Sequence, residues 1–197
     1  MPVIAVDFND VLAEAKEATR LALQHVTGLD IAQGKFCGKS DLFNRTIFPH
    51  PEKPSLNRAI TSWEWVAAKE LIYGPMFYDL TKPLEHAVDA MRRFAQIGFE
   101  VHVVSTCGGL TLPMAIHWLG LHRIPYVTVQ TGVRDKGPVY RKLMARVVID
   151  NDLKHLVRAP DQAMSILLSV EPVFMPPANV RVVSGWVHAY KQVLSVL

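Results

Sequence analysis

A chain of 197 residues can bury one sizeable core plus an insertion but is short for two independent domains. With 50% hydrophobic and 20% charged residues it has the composition of an ordinary globular protein, which excludes a disordered one. The formal net charge of +3 is scattered instead of gathered in a basic run, so nucleic acid is not an expected partner.

Cys37 and Cys107 stand far apart without metal-ligand spacing and read as reduced thiols. No apolar stretch approaches the roughly 20 residues that cross a bilayer, and the first residues run straight into a strand-like segment. No membrane association is expected, and the expected location is cytoplasmic. The oligomeric state is left open, a homodimer included.

In chain order, short apolar runs are predicted strands at Val3 to Val6, Val101 to Val104, Tyr126 to Val129, Val147 to Ile149, Ile166 to Val170 and Val180 to Val183. Most are rich in β-branched residues, and several are apolar at consecutive positions, as in strands buried on both faces of a parallel sheet. Helical patterns are predicted between and after them, at Leu84 to Ile97, Leu112 to Leu121 and Trp186 to Leu197. This alternation predicts an α/β fold built on a doubly wound parallel sheet.

The stretch from Ala13 to Tyr78 breaks the alternation. A helical pattern carrying Leu21, Leu23 and Val26 ends near Gly28, and a polar segment runs from Lys35 to Asn57. A second helical pattern then carries Trp63, Trp65, Val66 and Leu71. The prediction is a small helical cap, residues 13–78, inserted after the first strand of a core made of residues 1–12 and 79–197.

Ligands of parallel sheets bind beyond the carboxyl ends of the strands. The polar residues there are Asp7, Asn9 and Asp10 after the first strand and Ser105 and Thr106 after the second. Asp150, Asn151 and Asp152 follow the fourth, and Lys136 opens the helix before it. Carboxylates suit Mg²⁺, which commonly takes one or two of them and completes its shell with water and phosphate. A lysine and a hydroxyl nearby would neutralise and orient phosphate oxygens. Taken singly, each residue also has a plainer reading. The aspartates and hydroxyls would serve as helix caps or turn residues, and Lys136 as a solvated surface lysine.

VIAVDFNDVL, from Val3 to Leu12, resembles the first motif of the haloacid dehalogenase (HAD) superfamily, hhhhDxDG(T/V)L. VHVVST (Val101 to Thr106), RDKGPV (Arg134 to Val139) and VVIDND (Val147 to Asp152) resemble its second, third and fourth motifs. MFYDLTKPLEHAVDAMRRFAQIGFEVHVVST and the closing VRVVSGWVHAYKQVL resemble the 5'-deoxyribonucleotidase branch. The resemblance implies a Mg²⁺-dependent phosphohydrolase acting on a small phosphomonoester, with a (deoxy)nucleoside monophosphate as the suggested class. It implies Asp7 as nucleophile forming an aspartyl-phosphate, and Asp7, Asp150 and the backbone carbonyl of Asn9 as Mg²⁺ ligands. Phosphate would be held by Ser105 and Lys136, with Thr106 and Asp10 beside them. The cap would select the leaving group, with Phe36, Phe43, Trp63 or Trp65 available to stack on a base, although aromatics at this spacing usually form a core.

The first motif departs from the family pattern. Asn9 stands where the second aspartate acts as general acid and base, and Asp10 stands where glycine is usual. In the fourth motif Asn151 takes an acidic position, with Asp152 one residue further. A competing reading is therefore a weakened enzyme or binding protein that holds nucleotide or phosphate without efficient turnover. A third is phosphonate or halide chemistry on the same fold, for which phosphonate cleavage would want an imine-forming cap lysine among Lys35, Lys39 and Lys53.

Overall fold

The computed structural model describes residues 1–29, 31, 46–47, 58–74, 76–170, 173 and 175–195. The chain divides into two compact units, Met1–Ala13 with Pro83–Leu197, and Glu14–Lys82. In chain order the elements are β1 (Val3–Val6), α1 (Ala15–Thr27), β2 (Thr46–Ile47), β3 (Arg58–Ala59), α2 (Ser62–Ile72) and α3 (Phe77–Leu80). Then come α4 (Ala87–Gln96), β4 (Glu100–Val104), α5 (Leu112–Leu121), β5 (Thr128–Gln130) and α6 (Lys136–Lys142). The chain closes with β6 (Val147–Asp150), α7 (Leu153–Leu156), β7 (Met164–Leu168), β8 (Val180–Val183) and α8 (Trp186–Leu194).

The larger unit is one parallel sheet in the order β5-β4-β1-β6-β7-β8. From β1 the chain winds outward through β4 and β5, then returns to β1's other side for β6, β7 and β8. Strands β1, β4, β6 and β7 are buried along almost their whole length, and the edge strands β5 and β8 are partly open. This is the burial expected of a parallel sheet covered by helices on both faces, and it explains the consecutive apolar residues of the inner strands.

Several element boundaries differ from the sequence-based expectation, three of them by two residues or more at the start. β5 starts at Thr128 and not Tyr126, and the preceding Val127 is left largely exposed. β7 runs from Met164 to Leu168 because Met164 already pairs with Val147, so Val170 falls outside the sheet. α4 begins at Ala87 and not Leu84, since His86 takes a left-handed conformation (φ 64°) that a helix cannot include. Apolar periodicity does not register that backbone reversal.

One long-range contact ties the C-terminus to the loop after β1. Trp186 is buried, and its indole N–H donates to the Val11 carbonyl at 2.6 Å. Trp186→Phe keeps an aromatic ring but orphans that carbonyl. We expect a loss of about 2 kcal/mol, or on the order of 5 °C in Tm. A thermal melt unchanged by the substitution would show that the bond does not anchor the loop.

The smaller unit has its own core. Ala22 and Leu23 of α1 pack with Ile31, Ile60, and Ala68 and Ile72 of α2. α1 ends at Gly28, whose φ of 67° suits a glycine C-cap. α2 opens with a capping box in which Thr61 and Glu64 satisfy each other's backbone N–H. Trp65 packs against this core with the Lys69 ammonium 5.0 Å from its ring centre, whereas Trp63 is 72% exposed. Phe36, Phe43, Cys37, Lys35, Lys39 and Lys53 lie outside the described residues. Among the described residues no helix is long and apolar enough to cross a membrane.

Candidate active site

The winding direction of the sheet reverses between β1 and β6, which is where open α/β sheets form a ligand crevice. Val6 pairs with Ile149, and the Asp7 N–H extends the ladder to the Ile149 carbonyl at 2.9 Å. The register therefore brings Asp7 and Asp150 to the same end of adjacent strands. Both are buried, at 6% and 0% exposure.

Lys136, the first residue of α6, joins them and is fully buried. Its Nζ lies 2.7 Å from Asp7 Oδ1 and 2.8 Å from Asp150 Oδ2. Asp135 caps α6 by accepting from the Gly137 N–H at 3.0 Å, which fixes where the helix begins. The surface-lysine reading of Lys136 is thereby corrected. A lysine with no exposure needs paired charge to offset its desolvation, and two carboxylates supply it.

One cation between two carboxylates leaves the buried cluster one negative charge in excess when both are ionised. Burial first, and the neighbouring Asp150 second, push the Asp7 carboxyl up to about 7, against the lowering pull of Lys136. A bound proton would restore neutrality, and a bound divalent cation would turn the excess into one positive charge. The oxygens suit a cation. Asp7 Oδ1 is buried with the Lys136 ammonium 2.7 Å away. Among the described residues Asp150 Oδ1 accepts only the Asp152 N–H, at 2.9 Å, and a carboxylate oxygen has two lone pairs to offer. Among the described residues no group of three or more His, Cys, Asp or Glu could hold a metal. Two carboxylates are nonetheless a donor set that Mg²⁺ accepts, because it takes one or two of them and keeps water in its shell.

The remaining predicted residues fall around this centre. Ser105 follows β4, the strand beside β1, and is buried. Its N–H donates to the Gln130 carbonyl at 2.8 Å, and its own carbonyl accepts from Val133 at 3.0 Å. Its Oγ accepts from the Cys107 N–H at 3.2 Å. Thr106 is next and part-buried. Neither hydroxyl caps the following helix; Thr111 does, accepting from Met114 N–H at 3.4 Å.

Asn9 and Asp10 occupy a turn in which the Phe8 carbonyl accepts from both Leu12 and Ala13 N–H at 2.9 Å. Asp10 has a φ of 56°, and its N–H donates to the Ala13 carbonyl at 2.7 Å. It thus meets the left-handed conformation that glycine would meet, and Asp is among the few other residues that tolerate it. Asn151 is part-buried, and Asp152 caps α7 through the Lys154 N–H at 3.1 Å. Burial raises the Asp152 carboxyl, but hydrogen bonds from Lys154 and the charges of Lys154 and His155 outweigh it and hold it low.

Sequence reading missed Tyr140. Its hydroxyl donates to Asp150 Oδ2 at 3.0 Å, and the residue is fully buried. Burial first, then the two carboxylates, push its phenol far above the ordinary range, so it stays a neutral donor. The available signal was its spacing. Tyr140 lies four residues after Lys136 and therefore on the same helical face.

Comparison with known proteins places the fold. No protein-family model and no curated protein sequence matches the chain. Several solved structures do. A HAD-family hydrolase from Deinococcus radiodurans R1, with bound phosphate and sodium, aligns at a TM-score of 0.65 and 12% identity over 99% of this chain and 96% of that one. A predicted phosphatase from Clostridium acetobutylicum aligns at 0.64 and 11% identity over 98% of each. A haloacid dehalogenase-like hydrolase from Streptococcus pneumoniae aligns at 0.60 and 11% over 100% of this chain and 98% of that one. The fold is a Rossmann-like parallel α/β sheet. More particularly, it is the fold of these HAD-superfamily hydrolases.

Proposed function

We propose that this chain is a Mg²⁺-dependent phosphohydrolase acting on a small phosphomonoester, with a (deoxy)nucleoside monophosphate as the substrate class its sequence resemblance suggests. The observation that carries the reading is the buried Asp7–Lys136–Asp150 cluster at the switch point of the sheet. That the similar solved structures are described as hydrolases and phosphatases supports it.

In this reading an Asp7 carboxylate oxygen attacks phosphorus, the bond to the leaving oxygen breaks, and water then attacks the aspartyl-phosphate to release inorganic phosphate. Dividing the reaction in this way replaces one high barrier by two lower ones. Lys136 offsets charge on Asp7 and on the phosphoryl oxygens, and Ser105 donates to one of them, with Thr106 and Asp10 on the same rim. Asp7, Asp150 and the Asn9 carbonyl would hold Mg²⁺, which when bound supplies charge compensation for the phosphoryl group. The unit Glu14–Lys82 would serve as the cap that selects the leaving group.

The test is phosphate release from p-nitrophenyl phosphate and a panel of deoxynucleoside monophosphates. Release is expected with Mg²⁺ and expected to vanish in EDTA, returning when Mg²⁺ is restored. Undiminished release in EDTA would remove the metal from the proposal. A second reading rests on Asn9, which cannot exchange a proton near neutral pH: a protein that binds phosphate or nucleotide with little turnover. Its mark would be a Tm raised by Mg²⁺ and nucleotide together with no phosphate release from any member of the panel.

A further inference from the structure

Among the described residues Asp150 accepts three hydrogen bonds, distributed unequally. Oδ2 takes both side-chain donors, Lys136 Nζ at 2.8 Å and the Tyr140 hydroxyl at 3.0 Å. Oδ1 takes only the Asp152 N–H, at 2.9 Å. Two donors fill the lone pairs of Oδ2, while one remains on Oδ1. Lys136 alone does not enforce this division. An ammonium is a compact point charge on a flexible stem, and it can follow either oxygen as the carboxylate turns. The tyrosine is different. Its ring is buried among Ala5, Val148, Leu156 and Leu167, and its hydroxyl meets one oxygen only.

We infer that Tyr140 is a positioning residue that locks the Asp150 carboxylate, keeping Lys136 on Oδ2 and reserving the open lone pair of Oδ1 for a divalent cation. The inference rests on the reading that Asp7 and Asp150 hold Mg²⁺. Without the phenol, Oδ2 has a vacant lone pair, the carboxylate can rotate, and lysine and cation compete for the same oxygens. Mg²⁺ requires near-ideal octahedral geometry and is the more sensitive to such rotation. Ca²⁺ accepts mono- or bidentate carboxylates at varied angles and is the less sensitive.

The test compares wild type with Tyr140→Phe, which keeps the buried ring, and with Val139→Ala, a packing control on the same helix against the same core. Mg²⁺ and Ca²⁺ are each titrated into metal-free protein, and Kd is read from calorimetry and from the rise in Tm. For Tyr140→Phe we expect Mg²⁺ affinity to fall by about tenfold or more, with Ca²⁺ affinity falling less. Val139→Ala is expected to lower the metal-free Tm and leave both Kd values unchanged. A Tyr140→Phe protein that binds Mg²⁺ as tightly as wild type overturns the inference alone, as does equal loss for both ions. If the Phe variant does not fold, Tyr140→Met, another apolar side chain without a donor, carries the same expectation. Wild-type protein that binds no Mg²⁺ overturns the reading of the site and the inference with it.

Discussion

Asp7→Asn is expected to abolish phosphate release while making the metal-free protein more stable at neutral pH. The first effect follows from the proposed role of Asp7, since an amide oxygen is a poor nucleophile. Loss of a nucleophile of this kind lowers turnover by roughly 10⁴–10⁶-fold. The second follows from the charge balance. Asp7 is buried beside Asp150, and its carboxyl is pushed up to about 7 from an ordinary value of 3.8. The folded state therefore holds its proton more tightly than the unfolded chain does. Stability from this group is fully present below about pH 4 and is lost as pH rises through about 7. The loss is on the order of 4 kcal/mol. The asparagine does not titrate and escapes it. The Tm of the variant in EDTA should thus match wild type near pH 4 and exceed it increasingly towards pH 7.5. Mg²⁺ should narrow the gap, because the cation stabilises ionised Asp7. A Tm difference independent of pH would mean that Asp7 is not held in a charge-strained state.

Asn9→Asp is expected to act in the opposite direction and raise turnover. The position two residues after the nucleophile is where the resembled family carries its general acid and base, and asparagine cannot fill that role. Restoring a positioned carboxyl contributes typically about 10²–10⁴-fold. The gain should depend on the leaving group. A nucleoside alkoxide needs a proton as it departs, whereas p-nitrophenolate is already a stable anion. Steady-state release from deoxynucleoside monophosphates should therefore rise far more than release from p-nitrophenyl phosphate. Equal gains on both would assign the carboxylate to the attack of water on the aspartyl-phosphate and not to leaving-group protonation. No gain on either would sink the idea that Asn9 limits turnover. Asp10 is not an equivalent substitute in the backbone, since it occupies the left-handed position of the turn.

If both expectations hold, stability and activity oppose each other at one residue, as they commonly do where a site holds unbalanced charge. Lys136 moderates the opposition without removing it, since one buried ammonium faces two buried carboxylates. Tyr140 adds a donor but no charge, so it can orient Asp150 without neutralising it.

Sequence alone determined the alternation of strand and helix, and with it the parallel sheet. Strands buried on both faces must be apolar almost throughout, and such runs are visible without coordinates at Val3 to Val6, Val101 to Val104 and Val147 to Ile149. It also marked Asp7, Ser105 and Asp150, because strand ends in such a sheet are where ligands bind, and Lys136 at the start of the helix leading into β6. Tertiary structure decided how they meet. That β6 and not another strand lies beside β1 is a matter of winding order, which no local pattern encodes. Only that adjacency places Asp7 next to Asp150 and draws Lys136 out of solvent between them. Tyr140 became legible for the same reason. Its helix face is a local property, but which carboxylate it meets depends on a strand seven residues further along the chain.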